Sequence, residues 1–285
     1  MKYIKILRIQ QWSKNLIIFL PIILLQAFET LLNIEIYLIF FSFSLLVSST
    51  YIFNDIRDQD QDKLHPKKKI RPIASGEMSK TVAKNYGSVL ILLSFLSAYY
   101  IQDILAIYFL FYLGLTTIYS LSFKYLKYLD FLTISILFYI RIIVGGINLN
   151  LKLTNYFIIF IISTLTVIAI GKKYSILKNP EIKENVRIKV HLVNSYSESE
   201  LRLIYIFFST VSILTYIVWL NANFSLSFLY FLISILGLFS LYLFLNTFYK
   251  SSKSYQTENF VEWMLIPKNL INILIITVAS LLIIY

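Results

Sequence analysis

Apolar residues along this chain collect into long runs, each closed by a short polar interruption. A helix needs about 20 apolar residues to cross a bilayer. Nine stretches approach that length: 15–33, 36–54, 84–101, 104–122, 129–147, 155–171, 202–220, 226–248 and 265–285. They predict an all-α, polytopic membrane protein, a nine-helix bundle forming one integral membrane domain over residues 1–285.

The basic residues have a pattern of their own. Lys2, Lys5, Arg8 and Lys14 precede the first run, and eight Lys and Arg residues lie between Arg57 and Lys84. Lys124 and Lys127 separate the fourth and fifth runs; Lys172, Lys173, Lys178, Lys183, Arg187, Lys189 and Arg202 separate the sixth and seventh. Lys250, Lys253 and Lys268 come before or at the start of the ninth, and of the alternate loops only that of Lys152 holds a cation. Every second loop is therefore basic, which predicts a cytoplasmic N-terminus. The first run follows a basic segment but is long and lacks a small-residue cleavage site, so it is expected to be a retained helix.

Composition changes the picture in two ways. With 58% hydrophobic and 14% charged residues and a mean hydropathy of +0.72, the chain has too little charge to cover a soluble domain of 285 residues. Cysteine is absent, which removes disulfides, thiolate nucleophiles and Cys-ligated metals. The net charge of +11 is distributed as loop cations, pointing to a membrane surface and not to nucleic acid.

Two inner loops, 55–83 and 172–200, are longer than a connection requires. At the end of the second run, Asn54, Asp55, Asp58 and Asp62 fall within an arc of about 100° on a helix, and Asp60 points elsewhere. Carboxylates crowded at a membrane boundary repel one another, and a divalent cation relieves that. An oxygen-only set suits Mg2+, which takes one or two carboxylates together with substrate phosphates. Lys68 and Arg71 follow at once, between Pro66 and Pro72, where a bent loop can turn cations toward phosphate oxygens. A solvated acidic helix end and a basic topology anchor are the plainer alternatives. Arg141, inside the fifth run, either snorkels outward or lies on the path of a lipid phosphate.

The stretch Asn54-Asp55-x-x-Asp58-x-x-x-Asp62-x-x-His65-Pro66-x-Lys68-x-x-Arg71-Pro72-Ile73-Ala74-Ser75-Gly76 resembles the first signature of the UbiA-type intramembrane prenyltransferase superfamily. Its His-Pro-x-Lys form is similar to the polyprenyl-phosphate (decaprenyl-phosphate) phosphoribosyltransferase branch. So are Leu7-Arg8-x-x-Gln11-Trp12-x-Lys14-Asn15, Tyr119-Ser120-Leu121 with Asp130 and Arg141, and Gly171-Lys172-Lys173. The resemblance implies Mg2+-dependent transfer of a 5-phosphoribosyl group from phosphoribosyl diphosphate (PRPP) to a polyprenyl phosphate, in cell-envelope biosynthesis at the inner membrane, with the active site facing the cytoplasm. It implies Asp55, Asp58 and Asp62 as catalytic carboxylates and Asn54, Asp58 and Asp62 as metal ligands. Substrate contacts would come from Lys14, His65, Lys68, Arg71, Tyr119, Lys124, Arg141, Lys172 and Lys173.

Where the branch has an acidic residue after its second-loop cations, this chain has Ser175 or Ile176; near the start of the last run it has Pro267-Lys268. Two other functions remain open: an aromatic prenyltransferase using a polyprenyl diphosphate, and a non-catalytic lipid-phosphate transporter or scaffold. The second loop opens with Lys-Lys and holds no Asp-x-x-x-Asp, which favours phosphoribosyl transfer over the former. A homo-oligomer is also left open.

Overall fold

A computed structural model describes residues 2–24, 27–64, 68–147, 154–179, 195–222, 228–254, 256 and 263–284, and among them no strand occurs. Seven helices are long and apolar enough to cross a membrane: α3 (Ile34–Arg57), α5 (Lys80–Ile101), α6 (Asp103–Leu121), α7 (Leu129–Gly146), α8 (Asn155–Lys178), α9 (Glu198–Ala222) and α10 (Phe228–Lys253). The shorter elements are α1 (Lys2–Leu7), α2 (Leu20–Leu24), α4 (Gln59–Leu64) and α11 (Pro267–Ile284). The seven correspond to the second through eighth apolar runs.

The two terminal runs differ. α11 contains a shorter apolar stretch, Pro267–Ser280. The first run is not one α-helix: a 3-10 helix, Ile9–Phe19, passes into α2, and a second 3-10 helix covers Phe28–Leu32. Pro21 stands at the second position of α2.

The chain falls into two compact units. One comprises Met1–Ile22, Ala27–Ser122 and Ile140–Asn150; the other comprises Ile23–Gln26, Phe123–Tyr139 and Leu151–Tyr285. In the first unit α3 packs against α5, α6, α1 and the N-terminal 3-10 helix. Capping sets its helix starts: the Asn33 side chain accepts from the Glu35 N–H before α3, and Ser79 accepts from the Val82 N–H before α5. In the second unit α8 packs against α9 and α10, and α10 against α11.

Candidate active site

The tip of α3 shows how the sequence gathers the acidic residues. Asp58 caps α3 with a bent backbone, yet the Asp58 N–H still reaches Asn54 O at 2.8 Å and the Asp62 N–H reaches Asp58 O at 2.9 Å. Helical spacing thus survives the bend, and Asp55 and Asp62 stay on one side. Both are buried, at 4% and 3% exposure, whereas Asp60 is exposed and pairs only locally, with Lys63 at 3.3 Å.

Two buried carboxylates in an apolar setting need counter-charges, and Arg71 serves both. Its Nη1 lies 3.1 Å from Asp55 Oδ1 and 2.5 Å from Asp62 Oδ2. Lys68 Nζ stands 3.9 Å from the other Asp62 oxygen, and Arg8 donates to Asp55 Oδ1. Burial holds the Lys68 ammonium below its usual range; Arg71 pushes the same way, and Asp62 and Asp58 oppose it. Asp58 is half-buried and accepts from Arg57 Nε at 3.1 Å.

Arg71 is aimed by an anchored loop. Ile73 and Met78 are buried in a cluster with Ile6, Ile52, Ala83 and Leu90. Gln59 Nε2 donates to Ile73 O at 2.9 Å, and the Met78 N–H reaches Pro72 O at 2.9 Å. Gly76 turns the loop at φ +82°, a conformation glycine adopts without Cβ strain.

A second polar group lies in the same unit, further along α3. Arg141 is buried and does not snorkel: its Nε donates to Asn15 Oδ1 at 2.9 Å and its Nη2 to Tyr112 OH at 2.8 Å. The guanidinium also lies over the rings of Tyr112 and Phe43, at 5.0 and 5.6 Å. Asn15 in turn donates to Ser44 Oγ at 3.0 Å. Lys14 stands beside it on the N-terminal 3-10 helix. Its ammonium is lowered to about 8 by burial, then by the positive charges of Arg141 and Arg8.

The structure therefore brings together Asp55, Asp62, Lys68 and Arg71, next to Asn54 and Asp58, and sets Lys14 and Arg141 on a neighbouring stretch of the same unit. Tyr119 is half-buried on α6. Lys124, Lys172 and Lys173 belong to the other unit. There Lys173 is buried against Asp130, Tyr196 OH donates to Asp130 Oδ1 at 2.9 Å, and the Tyr128 N–H reaches Tyr196 OH at 2.7 Å. Lys172 is exposed, and Lys124 is buried 4.9 Å from the Tyr125 ring centre. His65 lies outside the described residues.

Tyr112, Tyr196 and the pairing role of Arg8 escape sequence reasoning, because each depends on a contact far away in the chain. The one available signal was the tract Leu7-Arg8-x-x-Gln11-Trp12-x-Lys14-Asn15, which spends two cations and two amides beside an apolar run.

The donors at the α3 tip are oxygens and amides only. Among the described residues no three His, Cys, Asp or Glu side chains converge into a cage. That does not suit zinc or a protein-only calcium site. A half-buried Asp58 with the Asn54 amide one turn before it and Asp62 one turn after it does suit Mg2+, which takes few protein ligands and fills its remaining positions with water and phosphate.

The described residues are helical, seven of the helices are long and apolar enough to cross a membrane, and one of these ends in an acidic, cation-rimmed tip; together they define a class, the polytopic α-helical membrane proteins. The UbiA prenyltransferase family model matches residues 15–266, so this integral membrane chain belongs to that family. It is 28% identical over 221 residues to decaprenyl-phosphate phosphoribosyltransferase from Mycolicibacterium smegmatis, a match covering 76% of this chain and 69% of that protein. The protein of the same description from Mycobacterium tuberculosis is also 28% identical, covering 76% of this chain and 72% of the relative. In fold it is similar to a UbiA homolog from Archaeoglobus fulgidus, solved bound to GPP and Mg2+. That likeness has a TM-score of 0.65 at 17% identity and covers 100% of this chain and 97% of the other.

Proposed function

We propose that this chain transfers a 5-phosphoribosyl group from PRPP to a polyprenyl phosphate, releasing diphosphate and forming polyprenyl-phosphoryl-5-phosphoribose. The observation that carries the proposal is the guanidinium of Arg71 shared between two buried carboxylates, with Lys68 beside them, at the end of an apolar helix. Cations and carboxylates are already interleaved there as a metal–diphosphate unit requires. Relatives described as decaprenyl-phosphate phosphoribosyltransferases support the choice of substrates. Asn54, Asp58 and Asp62 would hold Mg2+, which when bound offsets the negative charge that grows on a departing diphosphate; the fold neighbour solved with Mg2+ supports this.

Lys68 and Arg71 grip the diphosphate, Arg71 by its planar fork and Lys68 as a point charge. Asp55, paired with Arg8 and Arg71, keeps that fork oriented. The lipid phosphate oxygen attacks the anomeric carbon as the C1–diphosphate bond breaks, and the rate gain comes from positioning and fixed charge. In the cell the N-terminus and the acidic tip face the cytoplasm at the inner membrane. In the second unit Lys124, Lys172 and Lys173, the last paired with Asp130, are further candidates for phosphate binding.

The test is mass spectrometry of the lipid products after purified protein is incubated with two substrate pairs. PRPP with a polyprenyl phosphate is expected to yield a phosphoribosylated lipid. A prenylated aromatic acid from 4-hydroxybenzoate and a polyprenyl diphosphate, with no phosphoribosylated lipid, would overturn the proposal.

A further inference from the structure

We infer that Asp130 and Tyr196 are positioning residues of the second unit: they hold Lys173 as an internal strut, and thereby set its neighbour Lys172 as the cation that meets substrate phosphate. The inference rests on the proposed reaction and divides the roles within its Lys172–Lys173 pair.

Burial separates the two lysines. Lys173 and Asp130 are both buried, and the ammonium pairs with Asp130 Oδ2. The other carboxylate oxygen accepts from the Tyr196 phenol at 2.9 Å and from the Phe131 N–H at 2.8 Å. Drawing the ammonium toward a phosphate would strand Asp130 as a buried, uncompensated charge. The incoming phosphate would also face that carboxylate, like charge to like charge. Lys173 is thus spent inside the protein. Lys172, one position earlier and about 100° round the helix, is exposed.

Tyr196 ties the pair to its surroundings. Its oxygen accepts from the Tyr128 N–H at 2.7 Å, so one phenol joins the start of α7, the end of α8 and the residues leading into α9. The ammonium groups of Lys173 and Lys127 lie 5.5 and 5.1 Å from its ring centre. Lys127 Nζ stands 3.0 Å from Glu200 Oε2, and Tyr128 OH donates to Glu200 Oε1 at 2.9 Å. Tyr128 itself holds φ +71°, a region that bulky residues rarely enter and keep only where their neighbours enforce it.

Further along α8, Tyr174 OH donates to Glu198 Oε1 at 2.6 Å, and Lys178 pairs with the same carboxylate. Two carboxylates, Asp130 and Glu198, therefore fix the rotation of the last turns of α8. That rotation decides where an exposed side chain at position 172 is presented. Asp130 and Tyr196 act on the ligand through it without touching the ligand themselves.

The phosphate could belong to PRPP or to the lipid acceptor. Binding of PRPP with Mg2+, and of farnesyl monophosphate, to the full chain in zwitterionic nanodiscs separates the two sources, with the unfolding midpoint followed alongside. Lys172→Gln is expected to weaken at least one ligand about tenfold at an unchanged midpoint. A loss confined to PRPP assigns the donor's phosphates, and one confined to farnesyl monophosphate assigns the acceptor's. Tyr196→Phe keeps the ring but loses the bond to Asp130. It should weaken the same ligand about threefold, and that loss should vanish when Lys172→Gln is already present. Lys173→Met should lower midpoint and affinity together, and adding Asp130→Asn should restore both toward wild type, because no buried charge is then left unpaired.

Three results would overturn the inference: unchanged binding of both ligands in Lys172→Gln, a Tyr196→Phe loss of the same size with and without Lys172→Gln, or a folded Lys173→Met/Asp130→Asn double variant that still cannot bind. The last would put Lys173 itself on the phosphate, and it remains decisive if Lys173→Met alone does not fold. If the couplings appear but PRPP and a polyprenyl phosphate give no phosphoribosylated lipid, the positioning roles stand and the assigned reaction fails.

Discussion

Arg71 is the residue on which the tip turns. One nitrogen serves two buried carboxylates, so its removal leaves Asp62 with a single, longer contact to Lys68 and leaves Asp55 to Arg8 alone. Breaking a buried pair costs about 3–5 kcal/mol, and Arg71, a quarter exposed, belongs near the lower end of that range. Arg71→Met should therefore lower the thermal unfolding midpoint in detergent and abolish turnover, whereas Lys69→Met, at an exposed position of the same loop, should change neither. Equal effects from the two would mean that the loop contributes only bulk positive charge. At this scale the acidic residues were legible because helical spacing alone aligns them. Their partners were not. Arg8 reaches Asp55 from 47 residues away, with its own backbone in the left-handed region at φ 52°, and no local pattern announces that. For Arg141 the sequence left two readings, and burial with Asn15 and Tyr112 settles that it does not snorkel.

At the scale of elements, the structure departs from the sequence reading in the first apolar run, 15–33, whose opening residues belong to the N-terminal 3-10 helix, Ile9–Phe19. Its 11 residues far exceed the usual run of about 3–4 in that geometry. Tertiary cross-links to α3 hold it there, and a longer rise per residue is what lets Arg8, Trp12 and Asn15 all reach their partners, Asp55, Ser48 and Ser44. Gly145 on α7 approaches it closely: a Cβ at that position would stand 1.7 Å from the backbone oxygen of Ile18. Backbone cannot yield as a side-chain end can. Gly145→Ala is thus expected to push the 3-10 helix away, strain the Asn15–Arg141 bond and reduce stability by about 1–3 kcal/mol. Unfolding curves for the purified variant check this, and a wild-type midpoint would show that the close approach is not maintained. The central apolar runs were legible as helices because length and hydropathy decide them without tertiary help.

For the whole molecule, the uneven loop cations are the main guide to orientation, and the proposed topology has the N-terminus and the 55–83 loop on the cytoplasmic side. The absence of cysteine makes this easy to check, since any single introduced thiol is the only one present. Cysteine at Lys69 should be protected from an impermeant thiol reagent in intact cells and labelled after permeabilisation; labelling in intact cells would reverse the topology. Family membership and the overall helical class could be anticipated from the signature around Asn54 to Gly76, whereas the division into two compact units could not, because it depends on which helices touch. The central claim is that the acidic tip of α3 and its cations together receive a magnesium–diphosphate group. Calorimetric titration of PRPP into purified wild-type protein and Asp58→Asn, each with and without Mg2+, tests it most directly. Binding is predicted to require Mg2+ in the wild type and to be lost in Asp58→Asn while the variant remains folded; Mg2+-dependent binding of equal strength in Asp58→Asn would contradict the account.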